Sequence, residues 1–310
     1  MTYITEPADR SERLKAIGLM VAAIVVFSLL DATAKYLVDR AAVPVPQVVF
    51  LRFAFHVLFS LAVLWPLAFR PSLASKKPGL QLLRSLFMLG STGFNFVALK
   101  YLQLDQTITI FFLTPLLVAA LAGPLLGEWP GWHRMAAIAV GFAGVLIVMR
   151  PGFGGIHWAA AFALAATLSY ALYNIATRYL AAYDPPEVTQ TYSPLAGLAL
   201  SLPFAIAAWQ WPADAWTWVL LASMGVTGGL SHWLLILAHR HAPAPVLAPF
   251  VYVGLISMSA LGFLLFDNVP SLATLAGGVI VILCGLYIFE RERRAVGPSR
   301  AGPASDIATQ

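Results

Sequence analysis

The sequence predicts an all-α integral membrane protein, with ten transmembrane helices arranged as two inverted five-helix repeats. Three observations carry this reading. First, 60% of the 310 residues are hydrophobic and 11% are charged, with mean hydropathy +0.80. Soluble domains carry about 25% charged residues, so this chain lacks the polar surface to cover itself in water. Second, the apolar residues fall in blocks of roughly 20, the length of helix that crosses a bilayer. The short alternating strands of an outer-membrane barrel are absent. Third, the stretch at 28–37 returns in modified form at 171–180. Lys35-Tyr36-Leu37 becomes Arg178-Tyr179-Leu180, and Asn174 stands where Asp31 stood.

The chain opens with a polar tail, 1–13, that leads into an apolar block too long for the core of a signal peptide. Spans are expected at 14–38, 47–69, 79–99, 105–126 and 134–150 in the first half. The second half supplies 157–181, 187–208, 215–238, 244–266 and 270–289. Proline and glycine punctuate them: Pro44 and Pro46, Pro71 and Pro78, Pro130, Pro151-Gly152, Pro185-Pro186, Pro212, Pro243 and Pro245, and Pro270. Basic residues set the direction. Of 19 Lys and Arg, Lys35, Arg40, Lys100 and Arg150 fall on one side and Arg52 inside a span, and the rest share the side of both termini. Both termini are therefore expected in the cytoplasm. The basic run at 290–294 anchors the last span, and 291–310 reads as a disordered tail.

The first repeat covers 14–150 and the second 151–290. Gln47 pairs with Gln190 at the same offset as Lys35 with Arg178. Glu128 with Pro130 precedes a span holding Gly141 and Gly144, as Asp267 with Pro270 precedes one holding Gly277, Gly278 and Gly285. Five spans per half is odd, so the second half enters the membrane inverted. Transporters use this architecture, with the substrate site near the midplane between repeats.

Charge inside a bilayer is costly and commonly faces a pathway or a partner. Asp31 and Lys35 share a face of span one, Arg52 and His56 share a face of span two, and Asn95 lies on span three. All five are expected in the outer half, with Asp31 between Lys35 and Arg52. Asn174, Arg178, Gln190, Ser231, His232 and Trp233 form a less charged cluster in the inner half. Phe27, Tyr170, Tyr173, Trp233 and Tyr252 lie between the two. Each has a plainer reading: a structural ion network for the charges, snorkelling for Lys35, and helix-to-helix hydrogen bonding for His56, Asn95 and Asn174. Pro115, Gly228, Gly229 and Pro249 are candidate hinges. Gly123-x-x-x-Gly127 and Gly225-x-x-x-Gly229 favour close helix approach. Trp129, Trp132, Trp209, Trp211, Trp216 and Trp218 flank span ends as an interfacial belt. His239 and His241 lack a third ligand, so no metal is expected. The single cysteine, Cys284, excludes an intramolecular disulfide.

Pro115 with Gly127-Glu128 at the close of span four, and the run 94–102 (Phe-Asn-Phe-Val-Ala-Leu-Lys-Tyr-Leu), resemble the drug/metabolite transporter superfamily of the EamA type. The likeness covers about 14–290, and in particular resembles bacterial exporters of aromatic amino acids of the YddG type. Gly254 where Pro115 would map, and Asp267 in place of Glu128, depart from the pattern. The resemblance implies a bacterial inner-membrane transporter that works as a monomer and exports small metabolites, foremost aromatic or hydrophobic amino acids, by alternating access. Its partners would be a small-molecule substrate and membrane lipid. No phosphate loop, no His-Glu-x-x-His and no large extramembrane domain are present. No catalytic residue, cofactor or nucleic-acid contact is therefore expected. Other solutes or drugs, a membrane-embedded enzyme, and a passive channel are the alternatives. Proton coupling is open, with Asp31, His56 and His232 as the titratable candidates.

Overall fold

Helices appear wherever apolar blocks lie between breakers. A computed structural model describes residues 10–64, 74–126, 132–149, 157–180, 183–241, 250 and 253–295. Among them, all regular structure is helical. The helices are α1 (Arg10–Lys35), continued by a π-turn (Tyr36–Arg40), α2 (Val45–Leu64), α3 (Pro78–Tyr101), α4 (Leu104–Phe111), α5 (Thr114–Leu126) and α6 (Trp132–Met149). The second half holds α7 (Ala159–Leu180), α8 (Pro186–Tyr192), α9 (Leu195–Ala207), α10 (Ala215–His241), α11 (Val253–Phe266) and α12 (Leu272–Ala295).

Each of the ten predicted segments contains a helix. Five helical stretches are long and apolar enough to cross a membrane: Leu14–Arg40, Val45–Ala62, Pro78–Tyr101, Ala159–Thr177 and Ala215–Leu235. Shorter apolar helices occupy the fourth, fifth, ninth and tenth segments, and α8 and α9 lie in the seventh. Two segments expected as single helices are broken, the fourth between α4 and α5 and the seventh between α8 and α9. Pro194 explains the second break, because it cannot donate a backbone hydrogen bond to the preceding turn.

The helix ends follow local chemistry. Pro78 opens α3 and Pro186 opens α8, at positions where the missing N–H costs nothing. A Gln103–Gln106 capping box starts α4. Asp214 caps α10 by accepting from the Thr217 N–H at 2.8 Å and its hydroxyl at 2.9 Å. Ser271 does the same for α12 through the Thr274 N–H at 3.1 Å.

In the bundle α1 packs against α10 and α11, α3 against α7, α6 against α12, and α2 against both α9 and α10. Glycines make the last contact close. A methyl group added at Gly197 of α9 would meet the Phe53 ring, and one at Gly225 of α10 would meet the Phe55 backbone. Gly225-x-x-x-Gly229 thus serves close approach, as expected. The α10 helix runs unbroken through Gly228 and Gly229. The start of α1 lies by the end of α10, where Ala16 and Met20 pack on Ala238. This end of the bundle is called the near end, and the end of α1 marks the far end.

Candidate functional site

The centre of the bundle is built from side chains of α1, α2, α3, α4, α7, α8 and α10. Its first component is a run of rings. Phe111 of α4 lies 5.0 Å from Tyr170, which stacks on Tyr173 at 5.8 Å. Tyr173 lies 6.2 Å from His232 of α10. His232 meets Phe27 of α1 edge-on at 5.0 Å and stacks on His56 of α2 at 6.0 Å. Ring pairs at these separations are favourable beyond simple burial.

The second component is charged. Asp31 is half-buried and accepts a hydrogen bond from the Asn95 amide at 3.1 Å. Arg52 is 3% exposed. Its guanidinium lies 4.7 Å from the Phe53 ring and passes over Gly228. Its Nε and Nη1 are buried without hydrogen-bond partners. Buried polar groups are nearly always satisfied, so an unpaired guanidinium is a site awaiting an acceptor or a strained exception.

Several expectations change here. Lys35 is not part of a network with Asp31 and Arg52, and it does not snorkel. It is buried, its ammonium donates to the carbonyls of Leu99 at 2.9 Å and Leu102 at 3.0 Å, and it pairs with Asp39 at 3.4 Å. Those carbonyls belong to the end of α3, where the last turn leaves acceptors unpaired and a cation is favoured.

His56 and Gln190, expected in opposite halves, meet at 3.1 Å. With the amide so oriented, Gln190 donates, His56 Nε2 accepts and the ring proton sits on Nδ1. That nitrogen has no hydrogen-bond partner. Asn174 binds within its own helix, donating to the Tyr170 carbonyl at 2.7 Å. Trp233 is half-buried beside His232. Tyr252 and Pro249 lie outside the described residues, as do the side chains of Pro115 and Arg178.

Arg84 was expected among the loop charges of the near end. It is instead buried on α3, one of the best-bonded side chains in the bundle. It donates to the Thr177 hydroxyl at 2.6 Å, the Thr189 carbonyl at 3.2 Å, the Ser193 hydroxyl at 2.8 Å and the Tyr173 hydroxyl at 2.5 Å, and lies over the Tyr173 ring. Ser85 reinforces it, donating to the Ser193 carbonyl at 2.6 Å and accepting from the Ala196 N–H at 2.9 Å. Together they satisfy the backbone freed at the α8–α9 break and fix the orientation of Tyr173. The available signal was position: 84 falls inside the predicted span 79–99. Asp105, at the start of α4, is a buried acid that was not among the sequence candidates. Among the described residues, no group of three His, Cys, Asp or Glu side chains could hold a metal ion.

Residues 14–150 and 157–290 each match the EamA-like transporter family. Among curated proteins, the chain is similar to a riboflavin transporter of Vibrio cholerae, with 26% identity covering 89% of this chain and 93% of that protein. It is also similar to an S-adenosylmethionine uptake transporter of Rickettsia felis, at 27% identity over 91% of this chain and 95% of the other. The pseudopaline exporter CntI of Pseudomonas aeruginosa matches at 24% identity over 86% and 92%. A crystal structure of a protein aligns with TM-score 0.63 and 19% identity, over 92% of this chain and 99% of its own, a likeness of fold. With both halves matched, the chain belongs to the EamA-like transporter family and is a membrane transporter of small metabolites.

Proposed function

We propose that the protein is a secondary transporter with ten spans in two inverted repeats. In this reading it moves a ring-bearing metabolite across the bacterial inner membrane by alternating access, with the near end in the cytoplasm. The helix contacts support the repeat. If α1, α2 and α3 correspond to α7, α8–α9 and α10, then the α1–α10 and α3–α7 contacts are mates, and α6–α12 is its own mate. The bias of Lys and Arg toward the near end supports the orientation.

One observation carries the substrate reading: the buried Arg52 guanidinium, with Nε and Nη1 unpartnered, beside a run of aromatic rings. The unpartnered Nε and Nη1 call for oxygen acceptors, and a carboxylate matches the guanidinium in charge. Asp31, which accepts only from Asn95 among the described hydrogen bonds, offers a place for an ammonium. Phe27, Tyr170, Tyr173 and His232 offer faces and edges to a flat ring. An aromatic amino acid satisfies all three, which keeps amino-acid export as the first candidate. The relatives' cargoes supply the second. Riboflavin carries a flat ring system, and S-adenosylmethionine joins a flat adenine to an amino-acid end.

The test is uptake into proteoliposomes of radiolabelled tryptophan, phenylalanine, riboflavin and S-adenosylmethionine, alongside the ringless leucine and glutamate, with and without a pH gradient. Transport of at least one, competed by the others, supports the reading. Transport only of solutes lacking a ring refutes it. A rate that rises with the gradient adds proton coupling.

A further inference from the structure

Two hydrogen-bonded contacts tie the halves of the chain together at opposite ends of the bundle. At the near end, Asp184, in the turn between α7 and α8, accepts from the Ser75 hydroxyl, from the Lys76 N–H at 2.8 Å and from the Gln81 amide at 2.8 Å. Asp184 and Gln81 are both buried. At the far end, Gln47, near the start of α2, makes a reciprocal pair with the backbone of Gln210 between α9 and α10. Its amide donates to the Gln210 carbonyl at 2.9 Å and its oxygen accepts from the Gln210 N–H at 3.0 Å. Gln47 is fully buried.

The two contacts correspond under the repeat. The turn before α3 matches the turn before α10, and the turn before α8 matches the turn before α2. The near contact joins the turn before α3 to the turn before α8. The far contact joins the turn before α10 to the start of α2. The two contacts therefore join corresponding elements rather than corresponding residues, since Gln47 itself aligns with Gln190, and their chemistry differs: a carboxylate accepting three hydrogen bonds at one end, a neutral amide accepting one and donating one at the other. Charge-assisted hydrogen bonds are roughly twice as strong as neutral ones. Both are formed at once, with the central rings and Arg52 between them.

We propose that these contacts are the two latches of the transport cycle, that this conformation is occluded, and that Asp184 makes the near latch the stronger. This rests on the inverted-repeat reading of the function. Opening to the near side breaks the Asp184 contacts while Gln47 stays paired, and opening to the far side does the reverse. Alternating access needs this reciprocity, because a protein with both latches open would leak. Gln81, Arg84 and Ser85 lie on one face of α3. Breaking the near latch therefore acts on the same face that holds Tyr173.

The experiment uses the full chain in proteoliposomes, with Cys284→Ser as background and Asn174→Cys as a reporter beside the rings. A membrane-impermeant maleimide is applied from either face, and single Lys76→Cys and Trp211→Cys variants establish which face is which. Asp184→Ala is expected to raise reporter labelling from the near face by about tenfold, the loss of a charge-assisted hydrogen bond, and to leave far-face labelling unchanged. Gln47→Ala is expected to raise labelling from the far face only, by a smaller factor. Cross-linking Ser75→Cys to Asp184→Cys supplies a variant that tightens the contact. It should stop near-face labelling and keep far-face labelling. If both alanine variants raise labelling from the same face, or neither changes it, or the cross-linked protein still labels from the near face, the proposal is wrong. Labelling needs no substrate, so this outcome is independent of whether the ring-bearing cargo is identified correctly.

Discussion

His56 of α2 and Gln190 of α8 meet at 3.1 Å in the middle of the bundle, joining the two halves of the chain. Neither is within reach of bulk water: His56 is 0% exposed and Gln190 is 4% exposed. A lost partner here leaves a polar group stranded, at a cost of about 1–3 kcal/mol. His56→Ala and Gln190→Ala should each lower the thermal midpoint in detergent. The double variant should lose less than the sum, with a coupling of about 1 kcal/mol. Strict additivity would mean the two side chains do not interact.

Glycines on one helix have opposite tolerances. A methyl at Gly225 would run into the backbone of Phe55, which cannot move aside without shifting α2. A methyl at Gly228 would come no closer than 3.6 Å to the Arg52 guanidinium, an ordinary contact. Gly225→Ala should therefore destabilise by about 1–3 kcal/mol, the usual cost of overpacking. Gly228→Ala should leave the thermal midpoint near wild type and change only substrate affinity. Equal losses for both would contradict the packing of α2 on α10.

Asp184 gives stability a defined pH dependence. Burial alone would raise its pKa, but hydrogen bonds from Ser75, Gln81 and the Lys76 N–H, with the Lys76 charge, outweigh it and hold the carboxyl below its ordinary value. A carboxyl depressed in the folded state stabilises above its unfolded pKa of about 3.9, and that stability is lost as pH falls through the folded value. Wild type should melt above Asp184→Asn at pH 7, and the gap should narrow only below about pH 4. A gap that closes between pH 7 and 5 would show that another group is responsible.

The sequence carried the class of fold and most of the central residues, for a physical reason. Apolar blocks of membrane-spanning length and proline breaks are properties of the chain itself, and a charge such as Asp31 or Arg52 is visible against them. Partnerships were not legible. Lys35 reads as half of an ion network because Asp31 is four residues away, yet it serves the open carbonyls of α3, which no local pattern announces. Depth counted along a straight helix put Gln190 and His56 apart. The break at Pro194 reorients α8 and brings them together. Arg84 was grouped with the loop charges because it lies near the end of its span. Only the fold reveals that Thr177, Thr189, Ser193 and Tyr173 converge on it.

In the proposed function Arg52, with two unpartnered nitrogens, receives the acceptor group of a ring-bearing substrate. The most direct measurement is counterflow uptake of the best substrate into proteoliposomes by wild type, Arg52→Lys and Arg52→Ala. Arg52→Ala is expected to lose uptake by tenfold or more, equivalent to about 1.5–3 kcal/mol for a hydrogen bond to a charged group. Arg52→Lys should recover only part of it, because an ammonium cannot offer a planar fork. Uptake by Arg52→Ala at the wild-type rate, from protein that folds and reconstitutes equally well, would contradict it.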